Sequence, residues 1–142
     1  MSIINHFNGL WGERMEWDGA RVRRYDGVDA GGVTENWLIG KAEAARNFAI
    51  RYYEVAVDGR TKQEEHEHDH GIVVLRGQGR VLLDSDWNEI AQGDVVYIAP
   101  NERHQLMNTG QEPLGFLCVI PAVRKKNGEK VWAEEKITNN SE

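Results

Sequence analysis

Short apolar or β-branched runs recur between residues 20 and 120. They are Arg21–Tyr25, Asn36–Ile39, Phe48–Val57, Ile72–Leu75, Val81–Asp84, Val95–Ala99 and Leu114–Ile120. Between them stand Asp26-Gly27, Gly31-Gly32, Asp58-Gly59, Gly77-Gln78-Gly79, Gln92-Gly93-Asp94 and Asn108-Thr109-Gly110. Such runs, each closed by residues that favour turns, predict many short strands. Their spacing predicts an all-β sandwich or barrel. Helical periodicity is weak. Lys41–Arg46 is long enough for one helical turn. Asn127–Glu142 is charged, carries Trp132, and reads as a short helix or a terminal tail. Residues 1 to 20 mix Trp11 and Trp17 with charges and glycines at no regular period. They read as an N-terminal arm that packs on the rest.

The chain has 142 residues, 40% of them hydrophobic and 28% charged. That suits one globular domain with a real core. The net charge is -6. Basic residues cluster only at Arg21, Arg23 and Arg24 and at Arg124, Lys125 and Lys126, which argues against a nucleic-acid partner. No apolar stretch approaches the ~20 residues of a membrane span. Cys118 is the single cysteine, so no disulfide framework forms within one chain. With no apolar signal run near the N-terminus, the expected compartment is the reducing cytoplasm.

The chemical signal lies in the histidines. Of five, three fall in the window Glu64-Glu65-His66-Glu67-His68-Asp69-His70, and His104 follows later. Residues two apart on a strand share a face, so Glu64 and His66 can reach one ion. Glu64 and His70 would lie ~20 Å apart on a straight strand. If they share a metal, the chain bends between His66 and His70, where Glu67-His68-Asp69 and the following Gly71 permit a corner. Alone, a His-rich charged run is as well read as a solvated loop. What favours a site is the later sequence: Gly93-Asp94, an apolar strand, Pro100, His104 and Asn108.

Residues 35 to 121 resemble the small single-domain cupins. The first cupin motif lies on Glu64, His66, His70 and Gly77, the second on Gly93, Pro100, His104 and Asn108. Trp37–Gly40 and Asn47–Arg51 look like the strands that precede the first motif. The ligand spacings are similar to those of manganese-type four-histidine cupins. The resemblance implies a double-stranded β-helix (jelly-roll) barrel over 35–121. An arm with added strands over 1–34 precedes it, and a C-terminal tail or short helix over 122–142 follows. It also implies one divalent ion (manganese, iron or zinc), a small-molecule substrate and a homodimer. Arg51, Phe116 and Cys118 would line the pocket. Strand parity places Phe116 and Cys118 on one face but does not say which face is inward. Cys118 also reads as core, and Arg51 as a surface ion-pair partner.

Two positions depart from the pattern. Glu64 stands where the first histidine of the pair is usual; a carboxylate still suits iron, manganese or zinc. The other reading recruits His68 instead. Glu102 stands where glycine is usual, and Asn101 can carry the positive φ in its place. Protons should compete with metal near the ordinary histidine pKa of ~6.5. Four protein ligands would leave open positions on an octahedral ion, the mark of a catalytic metal. Three functions follow: a metal-dependent oxygenase on a small organic substrate, an isomerase or lyase on a sugar acid or hydroxy-carbonyl compound, and a non-enzymatic ligand- or metal-sensing cupin.

Overall fold

Alternation of buried and exposed side chains turns each apolar run into a strand of the computed structural model, which describes residues 1–135. Nine strands form one curled sheet: β1 (Arg21–Tyr25), β2 (Gly31–Ile39), β3 (Phe48–Arg60), β4 (His70–Arg76), β5 (Gln78–Leu83), β6 (Asp86–Ala91), β7 (Val95–Ile98), β8 (His104–Asn108) and β9 (Leu114–Pro121). The order is β6-β5-β8-β3-β9-β4-β7, with β2 added on β3 and β1 on β2. Neighbouring strands pair antiparallel. The long β3 makes the curl, pairing with β9 over Phe48–Val55 and reaching β8 through Arg60↔Met107. The all-β barrel read from the sequence is the fold observed.

The inner face holds the core. Ile72 and Val74 of β4, Leu114, Phe116, Cys118 and Ile120 of β9, Ala49 and Val55 of β3, and Val81 and Leu106 opposite are buried together. This decides what parity left open: Phe116 and Cys118 face inward. The arm covers the other side of β3. Met15 is buried with Tyr52 and Leu38, and Trp17 packs against them, its ring 5.3 Å from that of Tyr52. Arg21 ties β1 to Glu43 in the 3-10 turn Lys41–Glu43 and to Glu134, both at 2.9 Å.

Several readings change. The segment expected to be a tail or short helix contains a hairpin, β10 (Val123–Lys126) with β11 (Glu129–Trp132). Its turn is Asn127-Gly128, both at positive φ (54° and 83°). That is the two-residue turn whose twist matches paired strands. Residues 136–142 of that segment lie outside the described residues. Two pairs read as turns are irregularities within strands. Asp58 (φ 68°) lies inside β3, and Gly32 (φ 67°) lies at a register shift of β2. A bulge uses the same left-handed residue as a turn but lets pairing continue. The boundary placed after residue 34 therefore falls inside β2.

Candidate metal centre

Backbone pairing brings the two histidine segments together. Glu64 and His104 exchange both hydrogen bonds of an isolated bridge, at 3.0 and 2.8 Å. The Asn101 N–H donates to the His66 carbonyl at 2.7 Å. The chain bends at Glu67-His68, and β4 opens on His70 as β8 opens on His104. Asn101 takes the positive φ, 63°, so the missing glycine at Glu102 is compensated one residue earlier. The result is a compact group: ligand nitrogens of His66, His70 and His104 all lie within 4.8 Å of one another.

The outer nitrogens fix the rings. His66 Nδ1 lies 3.0 Å from the His68 carbonyl oxygen, and His104 Nδ1 lies 2.9 Å from that of Glu102. A carbonyl only accepts, so each Nδ1 carries the hydrogen and each Nε2 keeps its lone pair. His104 Nε2 is buried with no hydrogen-bond partner. His66 Nε2 and His70 Nε2 approach to 3.1 Å. Desolvation, reinforced by the neighbouring His104, pushes His66 down to about 4. Desolvation, then Arg51, holds His70 far below its ordinary value. Burial lowers His104 as well. Neutral imidazoles with an orphaned lone pair among them are the donors a borderline divalent cation takes. The group fits such an ion.

Glu64 and His68, the two readings of the fourth ligand, both border the group. Glu64 Oε1 lies 3.9 Å from His66 Nε2. The His68 ring stacks on that of His66, centroids 3.7 Å apart. Its burial, with Arg124 next, lowers its pKa strongly. Neither belongs to the compact three-nitrogen group.

Arg51, Phe116 and Cys118 all line the pocket beside the histidines, a cavity of about 420 Å³. Arg51 is a buried, paired arginine rather than a surface one. Its Nη1 donates to Glu35 at 3.2 Å, and its Nη2 reaches Cys118 Sγ at 3.1 Å. Cys118 Sγ in turn lies 3.1 Å from His70 Nδ1. For His70 to offer Nε2 to an ion, its hydrogen must sit on Nδ1 with the sulfur as acceptor. Outer partners of this kind set tautomer and ring orientation. Glu35 anchors the chain of contacts. It also accepts from Tyr25, Trp37 and Tyr53 at 3.0, 2.9 and 2.7 Å. Sequence reasoning missed Glu35. The available signal was a carboxylate two residues before a tryptophan, at the edge of the apolar run Asn36–Ile39; its register opposite Tyr53 came only with the fold.

A likeness to solved cupins now settles the family. The chain shares 31% identity with a cupin 2 conserved barrel domain protein of Rhodopseudomonas palustris, TM-score 0.72, over 85% of this chain and 83% of that one. The chain belongs to the cupin family. The cupin domain model (Cupin_2) matches residues 51–120, which contain all the histidines of the centre. This cupin is also 36% identical, over 77 residues, to the 1-methylthio-D-xylulose 5-phosphate methylsulfurylase of Rhodospirillum rubrum, covering 54% of this chain and 49% of that protein. With the glucose-6-phosphate isomerase of Pyrococcus furiosus it shares 40% over 76 residues, 44% of this chain and 40% of that one. It thus spans about half or less of the length of these two relatives. Among the described residues, no helix of the cupin is long and apolar enough to cross a membrane.

Proposed function

We propose that this cupin is a metal-dependent isomerase or lyase acting on a small hydroxy-carbonyl compound in the cytoplasm. The observation that carries the reading is the converging set of neutral His66, His70 and His104 nitrogens at the wall of the pocket. His66, His70 and His104, with Glu64 beside them, would hold one manganese, iron or zinc ion. Such an ion supplies Lewis-acid polarisation of a carbonyl oxygen. The residues of the chain do the rest. Glu35, Arg51 and Cys118 hold His70 in orientation, and the buried walls keep bulk water from the reacting carbonyl. One relative supports this choice over oxygenase chemistry, since the Pyrococcus furiosus protein is named for an isomerisation. The test is hydrogen exchange. Protein loaded with manganese or zinc, kept under nitrogen in deuterated buffer, should exchange the proton α to the carbonyl of a substrate. Turnover only with dioxygen uptake would replace this reading with the oxygenase one.

A further inference from the structure

The pocket separates its polar groups from its interior. Arg24, Asp26, Asp29 and Lys62 stand exposed on its lining. The inner wall is Val33, Ile72, Leu106 and Phe116, all buried. Phe116 lies flat against Tyr53, centroids 5.3 Å apart and 15° between planes.

Most polar atoms on that inner wall are engaged with one another; Arg51 Nε is buried without a hydrogen-bond partner. Glu35 accepts from Tyr25, Trp37, Arg51 and Tyr53. Arg51 spends its second terminal nitrogen on Cys118. The Thr61 hydroxyl donates to the Leu106 carbonyl and accepts the Leu106 N–H, at 3.4 and 2.9 Å. A polyhydroxylated ligand seated here would strip several hydroxyls of water and find most of these partners already taken, with Arg51 Nε the one donor left over among them. Each hydroxyl so stranded costs about tenfold in affinity. An aromatic or branched aliphatic body loses nothing by the same burial and gains from it.

We infer that the substrate is a carbonyl compound with an aromatic or branched aliphatic body. It reaches the histidine centre through adjacent oxygens and buries that body against Val33, Ile72, Leu106 and Phe116. This rests on the metal-dependent reading above and narrows its substrate class away from sugars.

Three probes test it on manganese-loaded protein by calorimetry, with metal content measured separately. They are 1-phenylbutane-1,3-dione, pentane-2,4-dione with the same chelating head and a methyl body, and glucose 6-phosphate. The phenyl diketone should bind at least about tenfold more tightly than pentanedione, and glucose 6-phosphate more weakly than either. Val33→Thr puts a hydroxyl on the wall at constant volume. It should weaken the phenyl diketone about tenfold while metal content and pentanedione affinity stay unchanged. Equal binding of the two diketones, tightest binding of glucose 6-phosphate, or an indifferent Val33→Thr would each overturn the inference while the metal centre stands. Protein that retains no manganese would instead overturn the metal reading, and this inference with it.

Discussion

His104 is the only member of the three-nitrogen group supplied by the second motif, and its inward nitrogen is buried without a partner. His104→Ala should therefore strip most of the metal from protein dialysed against a chelator, whereas Glu64→Ala should weaken binding less. A larger loss from His68→Ala than from Glu64→Ala would make His68 the fourth ligand. The sulfur of Cys118 acts on His70 from outside. Cys118→Val removes the acceptor at constant size and should cost on the order of 10–100-fold in metal affinity. Cys118→Ser keeps an acceptor and should restore it. The acid dependence follows from the same burial. His66 titrates near 4 in the fold and near ~6.5 unfolded. The unfolded chain therefore binds more protons as pH falls through this window, and stability of the metal-free protein falls with it. The loss is up to about 1.4 kcal/mol per pH unit for each such histidine, readable from urea unfolding at stepped pH. The folded imidazoles are already neutral, so competition by protons moves down from the expected ~6.5. Metal affinity should hold from neutral pH to mildly acidic pH and drop as His66 is protonated.

At the scale of elements, the segment before β8 joins the two motifs. Asn101 holds a left-handed backbone and donates to His66. Asn101→Gly should be nearly neutral. Asn101→Val should destabilise by about 1–3 kcal/mol, because a branched side chain resists positive φ. It should also loosen metal through His66. Unfolding curves with and without manganese separate the two effects. The strands legible in the sequence were the continuous apolar runs, such as β4, β7 and β9. β6 was missed because only Ile90 of its six residues is buried. β8 was missed because Gln105 and Asn108 lie buried within it beside His104. These polar groups are satisfied by partners far along the chain, Thr61 for Gln105 and Val55 for Asn108. No local pattern announces such a partner.

At the scale of the molecule, the homodimer implied by the resemblance is a proposal with a place to test it. Tyr97, Gly71, Val119 and Ile50 stand side by side across β7, β4, β9 and β3 on the outer face. Tyr97 and the neighbouring Val95 are 62% and 74% exposed. Protein at tens of micromolar should scatter as a dimer, and Val95→Lys with Val119→Lys should return it to a monomer. A wild-type monomer would refute the interface. The tryptophans divide between core and surface. Trp37 is core and Trp17 packs on Tyr52, while Trp11 and Trp87 stay exposed. By itself the sequence determined the all-β class, the histidines of the centre, the corner between His66 and His70, and the compensation at Asn101. The class and the corner follow from strand periodicity, turn chemistry and spacing along one stretch of chain; the choice of His66, His70 and His104 and the compensation at Asn101 follow from the resemblance to cupins. Only the tertiary structure decided that Cys118 and Phe116 face inward, that Arg51 is neutralised by Glu35, and that burial keeps the histidines unprotonated. Those outcomes depend on which strands the curl of β3 brings face to face, and on water excluded between residues distant in sequence.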